Sequence, residues 1–408
     1  MSSFTVTTTS SFPMISTLLK RLGAVFLGIG FALVLLEILA RVFHLGSGGF
    51  WEPNSLYGWR NIPDATGWES CYGECAVYVT INSRGLRDRE IPYEQSPGQT
   101  RILFLGDSLT AAMQVPLEET FVKVIETRLN TDAGSGRWEA INGAVNGFGT
   151  DNELLFFRLE ASKYRPDVVI LAMYPSNDVE NNSRELELRY GGQEHKPYFV
   201  LNEANQLVLM NFPVEGTDSF SVRVGTFLKK HFQLPRFVAQ VLSLRSDVPD
   251  WLKPLVSLLG GGRGGQADAG SNAQAERQGS ICDEEYTPEI QQAWTLTKAI
   301  LKQLRAEVEA TGARFAVAVI PTSVQLLSSQ MQPVTADGDW FCDRPHEELS
   351  SFLDQEGVPY LDLLRPFREH VLAGGAPLYY TRDFHMNSEG HRLAGELLYQ
   401  FVMEKLAP

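Results

Sequence analysis

Short apolar runs rich in β-branched residues alternate with longer stretches of helical spacing, and this alternation restricts the chain most. Strands are expected at Arg101–Leu105, Trp138–Ile141, Asp167–Met173, Phe315–Ile320 and Val358–Leu361. Helices are expected at Leu117–Leu129, Asp151–Tyr164, Pro288–Ala310, His346–Gln355 and Asn387–Lys405. Strands that alternate with helices form a parallel sheet covered on both faces. Ligands in such sheets bind where the strands end, so chemistry is sought in the segments just after each strand.

A long interruption spans residues 180–285. Tyr198–Val200 and Leu207–Leu209 predict a hairpin, and Phe220–Phe232, Pro235–Leu244 and Trp251–Leu259 predict short amphipathic helices. Residues 260–279 are rich in Gly, Ala and Gln and read as a disordered loop. The insertion has three readings: a packing element, a lid, or a surface lying against a membrane. Lys229, Lys230 and His231 form a cationic patch that suits the last.

A second feature stands apart from the alternation. Leu22–Phe43 is apolar or Gly except for Glu37 and Arg41, and it is long enough to cross a bilayer. Lys20 and Arg21 precede it and no acid occurs before Glu37. A basic N-terminal flank favours a cytoplasmic N-terminus and export of the rest of the chain. The competing reading is a cleaved signal peptide, but the run is long for that and no convincing small-x-small cleavage site follows it. Glu37 and Arg41, four residues apart, are expected to pair on one helix face. This divides the chain into a cytoplasmic tail (1–21), a transmembrane signal anchor (22–43), a connector with short strands (44–100) and a catalytic-type domain (101–408).

Charge sharpens the division. Lys and Arg number 35 against 49 Asp and Glu, a net charge of −14, and all the acid lies beyond Leu36. An acidic surface disfavours nucleic acid as a partner. Cys71, Cys75, Cys282 and Cys342 make an even count, which in an exported chain suggests two disulfides with three possible connectivities. Cys71 with Cys75 is the local pairing and leaves Cys282 with Cys342. Zinc at Cys71-x3-Cys75 is the alternative, though no His lies near that pair.

The strand ends carry the chemistry. Gly106-Asp107-Ser108-Leu109 follows the first strand, and Asn142-Gly143-Ala144-Val145-Asn146-Gly147 follows the second. Pro175-Ser176-Asn177-Asp178 follows the third, and Asp383-Phe384-His385 precedes the last helix. These parts suit acyl transfer. A Ser hydroxyl needs a base, for which His385 is the candidate, and Asp383 is placed to orient the imidazole. The backbone N–H groups of Ser108 and Gly147 and the side-chain amide of Asn177 are candidate oxyanion donors. Asp107 reads as a turn or cap residue, and His391 as structural.

This set resembles the SGNH (GDSL-type) hydrolase superfamily, in its membrane-anchored bacterial form. Ser108 matches the nucleophile, Gly147 the second-block glycine, Asn177 the third-block asparagine, and Asp383 and His385 the acid and base of the last block. The resemblance covers about residues 100–180 and 290–405. It implies a flavodoxin-like three-layer α/β/α sandwich with a five-stranded parallel sheet. It also implies a serine esterase that acts on an ester-bearing lipid, glycan or small molecule and needs no metal or organic cofactor. Two positions depart from the pattern. Pro175 stands where Gly is usual, and the last block is Asp-x-His, not Asp-x-x-His. That shorter spacing is similar to polysaccharide O-acetyltransferases, so an O-acetyltransferase is the alternative expectation. A non-catalytic binding module on the same fold is another.

Overall fold

The computed structural model describes residues 12–134, 136–189, 192, 194–243, 249, 281, 285–327 and 343–406. The expected Cys282–Cys342 pairing, the loop at 260–279 and the helix at 251–259 lie outside these residues.

Eleven strands occur among the described residues. Two antiparallel pairs come first: β1 (Trp51–Asn54) with β2 (Gly58–Asn61), and β3 (Thr66–Glu69) with β4 (Val77–Thr80). The central strands are β5 (Thr100–Gly106), β6 (Trp138–Asn142), β7 (Val168–Met173), β10 (Arg314–Val319) and β11 (Tyr360–Asp362). They form one five-stranded sheet in the order β11-β10-β7-β5-β6, parallel throughout. The chain steps from β5 outward to β6, then returns to the other side of β5 to add β7. The order therefore reverses between β5 and β7, which is the switch point of a flavodoxin-like sheet.

Strand side chains alternate between two cores, as the period of two requires. Leu103, Leu105, Val169, Leu171 and Val317 face one core, shared with helices Thr150–Leu159, Pro288–Ala310 and Arg344–Glu356. Ile102, Phe104, Ile170, Ala172 and Ala316 face the other, shared with helices Phe121–Ala133, Leu364–Leu372 and Ser388–Phe401. These strand residues are at most 1% exposed, and burying each such side chain contributes about 1.5–3 kcal/mol for the larger ones. The three-layer α/β/α sandwich expected from the sequence is the architecture found.

Local boundaries moved for physical reasons. Thr120 interrupts the expected helix at 117–129: its side chain caps a new helix, Phe121–Ala133, by accepting from Lys123 N. Pro175 opens a helix, Pro175–Asn182. At that first position a missing N–H leaves nothing unsatisfied, which accounts for Pro in place of Gly. The hairpin of the insertion is β8 (Tyr198–Leu201) with β9 (Leu207–Met210).

One helix, Phe12–Val42, is long and apolar enough to cross a membrane, and no protein covers its apolar window among the described residues. Leu27 and Phe31 are 76% and 72% exposed. Arg41 Nε lies 2.7 Å from Glu37 Oε1, as the spacing predicts. The pair also does more than face solvent. Glu37 accepts from the N–H groups of Gln233 and Leu234 at 2.8–3.1 Å, and Arg41 donates to His231 O at 2.8 Å. Glu37 thus caps the N-terminus of helix Gln233–Ser243, where negative charge is favoured. The insertion's helices Phe220–His231 and Gln233–Ser243 are thereby tied to the base of the apolar helix, and Lys229 Nζ donates to Trp51 O at 2.8 Å.

Candidate active site

Gly106 ends β5 at the switch point, and the chain turns at once into a single helical turn, Ser108–Ala111. A Cβ on Gly106 would press against Thr110 and Ala172 O, so the tight turn requires glycine. Asp107 is the cap, accepting from Leu109 N at 2.9 Å. The helix is too short to supply much of a dipole, which leaves individual N–H groups as the polar resource here. Ala112 closes the turn in the left-handed region, at φ +52°.

Asp383 and His385 lie at the tip of a small reversal. It is closed by Tyr380 N donating to His385 O at 2.9 Å and by the bridge between Tyr379 and Met386. Phe384 between them has φ +63°, an uncommon conformation for an aromatic residue. The reversal sets His385 Nδ1 2.6 Å from Asp383 Oδ1. The other ring nitrogen, Nε2, lies 2.9 Å from Ser108 Oγ. Ser108 is 5% exposed and Asp383 8%. Serine, imidazole and carboxylate thus form one hydrogen-bonded chain across the ends of two distant segments.

Asn177 lies in the first turn after β7, opposite Ser108 across the switch point. Its Nδ2 donates to Asp107 Oδ2 at 3.0 Å, which fixes the amide's orientation and leaves a second N–H on the same nitrogen. Gly147 sits in a turn after β6 with φ +75°. Among the described residues, neither Ser108 N nor Gly147 N has a hydrogen-bond partner. Beneath the turn lie Glu153 and Asp178. Burial, then the charges of nearby carboxylates including Asp107, pushes both well above the ordinary carboxyl range and favours their neutral forms.

Residues that sequence reasoning passed over hold this set in place, and most come from residues 44–100. Trp59 Nε1 donates to Asn146 O at 2.8 Å and packs edge-on against Phe148, fixing the turn that carries Gly147. Arg87 is buried and donates to Ala111 O at 3.1 Å and Val115 O at 2.5 Å, tying down the end of the serine's helix. Burial pushes its pKa down to about 10. Glu74 receives hydrogen bonds from Thr381, Arg382 and Asp383. Cys71 and Cys75 form a disulfide beside it, with Cα atoms 5.2 Å apart, so that pair carries no zinc.

His391 packs on Phe121 with ring centroids 5.6 Å apart, and its Nδ1 accepts from Phe121 N at 3.4 Å. Burial, then the neighbouring Arg87 and His385, pushes its pKa down to about 3, so it is a neutral structural group. His346 Nδ1 lies 2.8 Å from Asp362 Oδ1, a partner the sequence did not reveal.

A flavodoxin-like sheet, helices on both faces and a Ser–His–Asp chain at the switch point define the class of this molecule. No family model and no curated protein matches the chain. It is similar to the solved structure of the acetyl xylan esterase AlAXEase, at 12% identity over 74% of this chain and 99% of that one, with a TM-score of 0.39. It is also similar to the psychrotrophic esterase EstA from Pseudoalteromonas sp., at 14% identity over 76% and 99%, with a TM-score of 0.35. A GDSL-like lipase from Bacteroides thetaiotaomicron matches at 12% identity over 78% and 93%, with a TM-score of 0.35.

Proposed function

We propose that this protein is a membrane-anchored serine esterase of the SGNH type. The observation that carries the reading is the continuous chain Ser108 Oγ–His385 Nε2–His385 Nδ1–Asp383 Oδ1, with links of 2.9 and 2.6 Å. With the proton on Nδ1 held by Asp383, Nε2 is left to accept the serine's proton.

Ser108 Oγ attacks the ester carbonyl carbon as His385 Nε2 takes its proton. The carbonyl oxygen becomes an oxyanion and is stabilised by the N–H groups of Ser108 and Gly147 and the second N–H of Asn177. Each such donor contributes about 3–4 kcal/mol to transition-state stabilisation. The intermediate collapses as imidazolium protonates the leaving alkoxide, which departs as the alcohol. Water, deprotonated by His385, then attacks the acyl-serine and releases the acid. Asp383 offsets the charge on imidazolium throughout.

In this reading Phe12–Val42 is an uncleaved anchor, with the N-terminus in the cytoplasm and the domain outside. The basic flank at Lys20 and Arg21 supports that orientation. The Cys71–Cys75 disulfide suits an oxidising compartment. The Glu37 and Arg41 bonds to the insertion's helices hold the domain at the membrane surface. The test is hydrolysis of a short p-nitrophenyl ester by the full-length protein in detergent micelles. The wild type should turn over and Ser108→Ala should not. Equal rates for the two would overturn the reading.

A further inference from the structure

We propose that Glu74, presented by the Cys71–Cys75 loop, is a positioning residue for Asp383 and His385, and that full turnover requires the disulfide. The inference rests on the esterase reading above.

One carboxylate collects the donors of a whole turn. Glu74 Oε1 accepts from Thr381 N at 3.0 Å and from Thr381 Oγ1. Its Oε2 accepts from Arg382 N at 2.8 Å and Asp383 N at 3.1 Å. Three successive backbone N–H groups are thus fixed by one anion, and such charge-assisted bonds are the stronger kind. They end on the residue that holds the imidazole, directly before Phe384 at φ +63°. A backbone in that region persists only when its surroundings over-determine it. Glu74 supplies one side of that constraint, and the Tyr380 N–His385 O bond supplies the other.

Glu74 is itself held by an unusual loop. Cys71, Tyr72 and Gly73 have φ of +44°, +52° and +88°, three left-handed residues in succession between β3 and β4. Side chains disfavour that region at Cys71 and Tyr72. The disulfide closes the loop around them, helped by Gly73 N to Ser70 O at 2.7 Å and Glu74 N to Cys71 O at 2.9 Å. Without the covalent link the loop relaxes toward ordinary backbone angles and Glu74 leaves Thr381–Asp383. Cys71 is buried and Cys75 is partly exposed. A dithiol such as dithiothreitol breaks the S–S bond, gives up two electrons and two protons to form two cysteine thiols, and is itself oxidised to its cyclic disulfide.

The test uses full-length protein in detergent micelles. It measures kcat and KM on a p-nitrophenyl ester, the melting temperature, and amide hydrogen exchange over residues 381–383. Glu74→Ala should lower kcat about tenfold or more, leave KM within about twofold and leave the melting temperature near wild type. Glu74→Gln keeps one accepting oxygen and should recover part of the loss. Exchange at Thr381, Arg382 and Asp383 should accelerate in Glu74→Ala. Dithiothreitol should lower wild-type kcat but leave the Cys71→Ser/Cys75→Ser double variant at its own reduced rate. A Glu74→Ala variant with wild-type kcat, a kcat loss that only tracks the melting temperature, or unchanged exchange at 381–383 would overturn the proposal. If wild type turns over no ester, the esterase reading fails instead, and the exchange measurement still decides whether Glu74 holds this segment.

Discussion

Asn177 Nδ2 spans the gap between the ends of β5 and β7 and donates to Asp107 Oδ2 at 3.0 Å. This bond turns the nitrogen, not the oxygen, of the amide toward the turn that carries Asp107 and Ser108. Asn177→Ala should therefore lower kcat by about a hundredfold to a thousandfold with little change in KM, the signature of a donor used in the transition state. Asn177→Asp should do at least as much harm, because it sets a second carboxylate against Asp107. Steady-state kinetics on a short ester checks both. A normal kcat in Asn177→Ala removes Asn177 from the oxyanion site.

Lys196 tests the packing beneath the site. It is fully buried, with Nζ 3.0 Å from Asp151 Oδ2, 2.7 Å from Glu187 Oε2 and 2.7 Å from Asn181 O. Burial alone would lower its pKa, but Asp151 and Glu187 outweigh burial and hold it above the ordinary lysine value. Lys196→Met leaves two buried carboxylates without a cation. The expected cost is about 3–5 kcal/mol, which for a chain this long corresponds to a fall in melting temperature on the order of 5 °C. Thermal unfolding followed by circular dichroism measures it, and an unchanged melting temperature would contradict the buried ion pairs.

His391 gives the pH dependence a definite sign. Its folded pKa of about 3 lies below the unfolded value, so between the two the unfolded chain binds the extra proton. Stability is complete above the unfolded pKa and is lost as pH falls toward 3. His391→Asn keeps an acceptor near the Nδ1 position without titrating. It should flatten the dependence of unfolding free energy on pH between about 4 and 6 by roughly one proton. Denaturant unfolding at several pH values reads this slope, and an equal slope in both proteins would contradict a neutral buried His391.

The five central strands were legible because each rests on a local pattern, and so was the position of Ser108, Gly147, Asn177, Asp383 and His385 as candidates. The strands are short apolar runs; Ser108, Gly147 and Asn177 come soon after strand ends, and Asp383 and His385 stand just before the last helix. Glu74, Arg87 and Trp59 were not legible, because nothing in their own neighbourhood signals a partner. Glu74 meets Asp383 across 309 positions, Trp59 meets Asn146 across 87, and Arg87 meets Val115 across 28. Residues 44–100 read as a connector because their strands are only four residues long, and of these only Val77–Thr80 alternates cleanly between buried and exposed. Folded, they brace three of the turns that form the site. Glu37 and Arg41 were half legible: their pairing follows from helical spacing, while their bonds to residues 231–234 depend on tertiary contact.

The central claim is that Ser108 is an activated nucleophile. The direct measurement is intact and peptide mass spectrometry of the full-length protein after treatment with a fluorophosphonate, alongside His385→Ala. The account predicts one adduct, on Ser108, formed rapidly in the wild type and at a small fraction of that rate in His385→Ala. A wild type that stays unlabelled, or carries its adduct on another residue with Ser108 unmodified, would contradict it.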